Sequence, residues 1–238
     1  MSEEWPEAAP QFLICEDSET DKLERAEGIL DYIGDDLKGK KVLDFGCGEG
    51  HVSDKAAETA LLSVGYDLIQ PSFNSNKENC ILTSDFSKVT ENGPYDLIVL
   101  YDVLDHCQDV VDALNQVKSV SHPKTKIFVR CHCWMSRHGA HLYKQLNKAW
   151  VHVFFTKEEL AEMGLKMDFT RKYFAPMNEQ NSWFKKAGLT VVSSDVIKSA
   201  VEPFFRRPEL AKRIPAEYGK EFPEWQMSQT FNDYVLKQ

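Results

Sequence analysis

The residues with the clearest chemical potential lie in Lys41 to Gly50, K-V-L-D-F-G-C-G-E-G. There a short apolar run carries Asp44 and then glycines at every second position, Gly46, Gly48 and Gly50. Glycines let a backbone approach a ligand closely, and a strand entering a glycine turn and then a helix is a nucleotide-binding entry. A dinucleotide fingerprint would read G-x-G-x-x-G, with a pyrophosphate at the helix N-terminus. The spacing here is G-x-G-x-G, His51 stands where that pattern wants its third glycine, and Asp44 lies two residues before Gly46. A carboxylate at this point repels a pyrophosphate and suits a ligand that presents an ammonium and a sulfonium. The alternative is a glycine turn that serves only strand-to-helix packing.

A second acidic residue bears on the choice. Leu61 to Leu68 reads as a strand, and Asp67 at its end lies 23 residues beyond Asp44. An acidic side chain at the end of the second strand, about 20 residues past a glycine turn, is placed to accept hydrogen bonds from a ribose diol. Asp44 and Asp67 thus agree on one site. The next strand, Cys80 to Ser84, is followed by Asp85 and Phe86, and Pro94 to His106, P-Y-D-L-I-V-L-Y-D-V-L-D-H, is a buried strand that turns through Tyr101 and Asp102.

In these four motifs and their order the chain resembles the class I S-adenosylmethionine (SAM) dependent methyltransferases, of the small-molecule type similar to the ubiquinone and menaquinone group. The resemblance spans Asp21 to the C-terminus. It implies an α/β fold, a Rossmann-like seven-stranded mixed sheet with helices on both faces and the last strand antiparallel. It implies SAM as cofactor, with contacts from Asp44, Gly46, Cys47, Gly48, Gly50, Asp67, Leu68, Asp85, Phe86, Tyr101 and Asp102. In that family the carboxylate matching Asp85 accepts from the adenine amine, and Tyr101 and Asp102 would lie beside the methionine part. The departures are informative. The chain lacks the N-P-P-Y or D-P-P-Y motif of DNA amino-methyltransferases and the Pro-Cys pair of cytosine C5 enzymes. Cys107 reads better as a small buried residue starting the helix Gln108 to Val120 than as a nucleophile.

A third group of reactive side chains follows the strand Lys124 to Trp134. Arg137, His138, His141, Tyr143 and Lys144 crowd Ser136 to Trp150, at the exit of a strand whose C-terminal end should face the ligand cleft. If a hydroxyl accepts the methyl group, a base must take its proton, and histidine suits neutral pH. His138 and His141 are the first candidates, with His132 and His106 behind them and Arg137 and Tyr143 orienting the acceptor. The bland alternative is a solvated helix start hinged at Gly139. Cys131, His132 and Cys133 suggest zinc with His138 or His141, but neighbouring strand residues point apart, and zinc sites usually space cysteines by two, so no metal is expected.

Several elements must position these groups. Met1 to Glu19, with Phe12, Leu13 and Ile14 as its apolar cluster, reads as an irregular arm that docks loosely. Asp21 to Leu37 is an amphipathic helix with Asp17 or Ser18 near its start, either covering the substrate pocket or packing plainly on the sheet. A helix is expected over His51 to Ala60, whereas Gln70 to Asn79 is polar enough that the second crossover helix is short or replaced by a loop. Thr156 to Met163 opens with a capping box of Thr156 and Glu159, and Asn178 to Gly188 is a helix. Leu189 to Ile197 is the sixth strand and Met227 to Leu236 the last. The Pro-rich Glu202 to Trp225 between them, with Arg206, Arg207, Lys212 and Arg213, is a lid, an oligomer contact or a solvated face.

The whole-chain properties bound the function. A chain of 238 residues, 42% hydrophobic and 27% charged, fits one globular domain. Within it, 1–40 form the arm and cover helix, and 134–180 and 202–225 are insertions on the substrate side. No apolar run spans a bilayer and the N-terminus is acidic, so a cytoplasmic protein with six reduced cysteines and no membrane partner is expected. A net charge of −9 argues against broad nucleic-acid binding. The reading is a SAM-dependent methyltransferase acting on a small hydroxylated metabolite, a sugar or a lipid-linked acceptor, by O-methylation. The alternatives are a nucleic-acid methyltransferase using its basic islands and a catalytically silent SAM-fold binding protein.

Overall fold

The computed structural model describes residues 4–9, 18–167, 177–214 and 222–238. The expectations for Phe12, Leu13, Ile14 and Asp17 fall outside these residues. The seven strands are β1 (Lys41–Phe45), β2 (Leu62–Tyr66), β3 (Cys80–Thr83), β4 (Tyr95–Tyr101), β5 (Ser121–His132), β6 (Thr190–Lys198) and β7 (Gln229–Lys237). They form one sheet of order β3-β2-β1-β4-β5-β7-β6, parallel from β3 to β5 and mixed through the antiparallel last strand. This is the Rossmann-like fold the motifs imply. Leu97, Ile98, Val99 and Leu100 of β4 are all fully buried, as befits a central parallel strand covered on both faces.

The chain groups into two compact units. The larger comprises Glu16–Arg130, Asn181–Ser194 and Asp233–Gln238; the smaller comprises Met1–Cys15, Cys131–Gln180 and Asp195–Asn232. In the larger unit α1 (Glu19–Ile33) starts at Ser18, whose side chain accepts from the Asp21 amide, and stops at Gly34, left-handed at φ 62°. Its buried Ala26, Ile29 and Ile33 form one face, and the last two pack with Leu37, Val42, Leu97, Val99 and Phe128. Three further helices follow, α2 (His51–Ala56), α3 (Phe86–Asn92) and α4 (Val110–Ser119). The stretch between β2 and β3 is a loop, as its polarity predicts. It is held by Asp54, buried on α2, which accepts from Ser75 Oγ and pairs with Lys77 Nζ, both at 2.5 Å.

The smaller unit has its own core, in which Trp5, Trp134, Trp150, Phe154, Phe205 and Met227 are buried together. Its helices are α5 (Val151–Phe154), α6 (Lys157–Glu162), α7 (Met177–Lys186, which runs on into the larger unit), α8 (Pro208–Ala211) and α9 (Glu224–Ser228). The capping box of Thr156 and Glu159 is present at α6. The N-terminal arm does not dock loosely. Trp5 is 5% exposed, its indole donates to the Ala149 carbonyl at 2.7 Å, and Asn147 Oδ1 accepts from the Ala8 and Ala9 amides. Nor is Ser136 to Trp150 a solvated helix start: it is an irregular stretch, buried or half-buried except at Lys144 and Gln145, with one 3-10 turn, Leu142–Lys144. Among the described residues no helix is long and apolar enough to cross a membrane.

Candidate active site

In the larger unit the tips of β1 and β2 meet at the glycine turn. The amides of Gly46 and Cys47 donate to the Tyr66 carbonyl at 2.7 and 3.0 Å, so the turn leaves β1 bound to the end of its neighbour. Gly46, Gly48 and Gly50 have φ of 80°, 56° and 107°, values that L side chains rarely adopt. A Cβ on Gly46 would sit 2.5 Å from Val103 Cγ1 and one on Gly50 2.6 Å from Leu82 Cδ1, whereas one on Gly48 would meet nothing within 4 Å. Packing therefore demands the outer two glycines, and the middle one leaves open space. His51 is held from α1: Glu19 lies 2.8 Å from its Nε2, Lys22 pairs with Glu49 at 2.6 Å, and the imidazole lies against Phe73.

Asp44 is 4% exposed and accepts one side-chain bond, from Ser53 Oγ at 2.8 Å. Burial pushes its carboxyl up to about 7; the Ser53 bond opposes this and the charge of Asp67 adds to it. Asp67 accepts from the amides of Gly48 at 2.9 Å and Ile69 at 3.3 Å, while Leu68 and Ile69 stand 86% and 80% exposed beside it. A cavity of 680 Å³ opens here, walled by Phe45, Gly46, Tyr66, Asp67 and Leu68 and, opposite, by Asp102, Val103 and the first turn of α4. Of the expected cofactor contacts, Gly46, Asp67, Leu68 and Asp102 line it, and Asp44, Cys47, Gly48, Gly50, Asp85, Phe86 and Tyr101 are not part of its wall. Asp85 instead caps α3 by accepting from the Ser87 amide at 2.9 Å, which holds its carboxyl below the usual range, and Phe86 packs edge-on against Tyr66.

Asp102 enters the cavity wall in a left-handed conformation, φ 57°, with its amide donating to the Arg130 carbonyl. Burial drives its carboxyl well above the usual range, Asp105 adds to this, and the charges of Arg130 and Arg25 oppose it. Tyr101 is committed elsewhere. Its hydroxyl accepts from Arg130 Nη1 at 2.6 Å, and the guanidinium lies between the rings of Tyr32 and Tyr101, 4.5 and 4.8 Å from their centroids. Arg130 is also bidentate on Asp233, at 2.7 and 2.6 Å, and Asp233 accepts from the Tyr32 hydroxyl. Arg25, Arg130 and Asp233 carry no local signature, which is why motif reading passed over them. Burial raises the thiols of Cys47 and Cys107, the latter to about 11, so neither is a thiolate near neutral pH.

In the smaller unit the structure brings together His132, His138, His141 and Tyr143. The His132 ring centroid lies 5.4 Å from that of His138, 4.6 Å from that of His141 and 4.5 Å from that of Phe231. Tyr143 stands edge-on to His138 at 5.7 Å. His141 adopts φ 52°, and its amide donates to the His138 carbonyl. His138 Nδ1 is buried without a hydrogen-bond partner, and burial, with Arg137 nearby, lowers the ring to about 4. Arg137 is not aimed into this group: it donates to the Glu7 carbonyl, pairs with Glu202 and stacks on Trp150. His106 belongs to the larger unit, beside Asp105 at 3.4 Å.

The comparisons with known proteins agree with this geometry. Residues 20–194 match the model of a family described as a methyltransferase domain. The ubiquinone biosynthesis O-methyltransferase of Pseudomonas aeruginosa strain PAO1 is 24% identical over 193 residues, covering 76% of this chain and 77% of that protein; its Pseudomonas fluorescens SBW25 counterpart is 24% identical over 188 residues, with the same shares. A SAM-dependent methyltransferase from Mesorhizobium loti superposes with a TM-score of 0.56 at 16% identity, covering 91% of this chain and all of that one. One from Archaeoglobus fulgidus gives 0.53 at 15%, covering 91% and 94%. The matched span takes in the glycine turn, both tip carboxylates and every parallel strand, and the chain belongs to the methyltransferase domain family, as a class I SAM-dependent enzyme.

Proposed function

We propose that the protein methylates a hydroxyl oxygen of a small acceptor, with His138 taking the proton. The cavity between Asp67 and Asp102 fits the cofactor in its donor set. Asp67, on the wall, is fixed by two backbone amides with acceptor capacity for a ribose diol; behind the wall Gly48 leaves open space at the turn and Asp44 holds a buried carboxyl that would act on a cationic ligand through its charge. Arg25, whose charge acts on Tyr101 and Asp102, would take the carboxylate of the methionine part. When bound, SAM supplies an electrophilic methyl on a sulfonium and leaves as a neutral thioether. The protein's task is then to align the acceptor and accept a proton, and alignment contributes up to roughly 7 to 11 kcal/mol in model reactions.

The observation that carries the choice of base is the buried, unpartnered Nδ1 of His138 among aromatic rings. An imidazole lowered to about 4 stays neutral across the physiological range, so its lone pair is open to an acceptor hydroxyl. His132 and His141 lie beside His138 within the smaller unit, and Phe231 and Tyr143 offer faces to a flat or apolar acceptor. Both relatives are named O-methyltransferases, which supports oxygen as the accepting atom. Nucleic acid is the weaker alternative because three arginines of the Arg206–Arg213 island are engaged by carboxylates: Arg206 with Glu224, Arg207 with Glu4 and Arg213 with Glu159.

The test is to incubate the enzyme with SAM and a pooled library of phenols, catechols, sugars and oligonucleotides, reading mass gain of one methyl. His138→Ala should lose at least about tenfold in kcat while SAM affinity by calorimetry persists, in line with a general base. Wild-type turnover in that variant, or methylation confined to nitrogen or to nucleic acid, overturns the reading.

A further inference from the structure

We infer that the protein self-associates through β6, pairing antiparallel with the β6 of a second copy about a two-fold axis at Ser194. β6 ends the strand order, so one of its edges has no neighbouring strand among the described residues. It is nine residues long and exposed at every position from Thr190 to Asp195, with Val191 at 36% and Val192 at 55% exposure. A long edge of this kind presents backbone amides and carbonyls to a partner strand, and folded proteins ordinarily blunt it with lysines, a proline or a bulge; here the Val196 amide donates to the Asp195 carboxylate at 2.9 Å, a bond that pairing would have to exchange. Here the only charges are Asp195 and Lys198, and no proline interrupts T-V-V-S-S-D-V-I-K.

The occupant is identified by the order of these residues, which is close to palindromic in character. Turned about Ser194, the strand sets Val192 opposite Val196, Val191 opposite Ile197, Ser193 opposite Asp195 and Thr190 opposite Lys198. Apolar faces apolar and polar faces polar along the whole length, on both faces of the ladder. A shift by one residue would set Val191 against Val196 and Val192 against Asp195, so the pattern selects one register. No like charges face each other directly. The two Asp195 side chains come closest, on a diagonal where the repulsion is weak and screened by salt. A chain carrying net charge −9 repels its copies in general, and the β6 segment itself, with one acid and one base, is neutral.

The experiment is sedimentation velocity on the full chain across the micromolar range, with three variants. The wild type should show the 27.3 kDa chain doubling in mass as concentration rises. Val192→Lys, at an exposed site that leaves the fold and SAM binding intact, sets a charge directly against the apolar Val196 of the second copy and should abolish the dimer. Asp195→Asn removes the diagonal repulsion and should strengthen it severalfold, most at low salt. Ser194→Cys sits on the axis, where facing Cα atoms of an antiparallel ladder are about 4.5 to 5.5 Å apart, within disulfide reach, and should cross-link under mild oxidation where the wild type and Ser193→Cys do not. A wild type that stays monomeric, even if the edge then takes up a strand from another protein, overturns the inference. So does a dimer that persists in Val192→Lys, or a cross-link that forms at 193 in preference to 194.

Discussion

Replacing Asp44 with asparagine should stabilise the cofactor-free protein and weaken its hold on SAM, with both effects growing as pH rises through neutrality. Asp44 is buried beside Asp67 with one Ser53 bond, and its carboxyl titrates near 7 rather than 3.8. A raised carboxyl means that the folded state holds the proton more tightly than the unfolded chain does. The group is therefore least costly below pH 3.8, and its penalty grows between 3.8 and 7, reaching about 4 kcal/mol above that. Asparagine keeps the shape and cannot ionise. At pH 7.5 the variant should melt higher by about 8 to 16 °C, given roughly 2 to 4 °C per kcal/mol for a chain of this size; at pH 5, where the penalty is about two-fifths as large, the gap should narrow to about 3 to 6 °C. A cationic ligand inverts the balance, because it favours the ionised carboxylate. SAM affinity of the wild type should rise as pH goes from 5.5 to 7.5 with uptake of a proton by buffer, and Asp44→Asn should bind about 10 to 100-fold more weakly at the upper pH. Calorimetry in two buffers of different ionisation enthalpy counts the proton, and a melting series supplies the stability. A wild-type affinity flat across that range, together with a variant no more stable at pH 7.5 than at pH 5, would refute the reasoning.

Three further outcomes are expected. Gly46→Ala should lose about 2 kcal/mol or more by thermal melting, since its Cβ would collide with Val103 at a φ of 80°. Asp54→Ala should cost about 3 kcal/mol in urea unfolding, because it strands Lys77 and Ser75 and frees the loop between β2 and β3. His152, 8% exposed with Nε2 against the Trp134 carbonyl at 2.6 Å, titrates near 4 rather than 6.5. Its folded state binds fewer protons than the unfolded chain, so stability should fall by about 3 kcal/mol as pH drops from 6.5 to 4. His152→Gln should flatten that limb, and an unchanged acid midpoint would count against the assignment.

The parts of this molecule that sequence made legible are those encoded within a few residues. A short apolar run and glycine spacing announce β1 and its turn, the unbroken apolar run announces β4, and Thr156 with Glu159 announces α6. A seven-stranded Rossmann-like sheet follows from their order. What stayed hidden depends on residues far apart in the chain. Arg130 and Asp233 are 103 positions apart, and nothing near either one hints at a guanidinium held between Tyr32 and Tyr101. Trp5 gives no sign of its place beside Ala149, 144 positions away. Asp85 is a different case: the family pattern points to adenine, and a local rule, an acidic residue just before a helix, also describes it as the cap of α3.

The indole of Trp5 has a practical consequence for anyone preparing this protein. Its ring touches Phe154, Phe155, Phe204 and Phe205, drawn from two distant parts of the chain, so Trp5 acts as a keystone of the smaller unit's core. Trimming the gene back to the start of α1, a usual step before crystallisation, would leave an aromatic-sized void among four phenylalanines and withdraw the donor from Ala149. An affinity handle is better attached at Gln238, which is exposed together with Lys237.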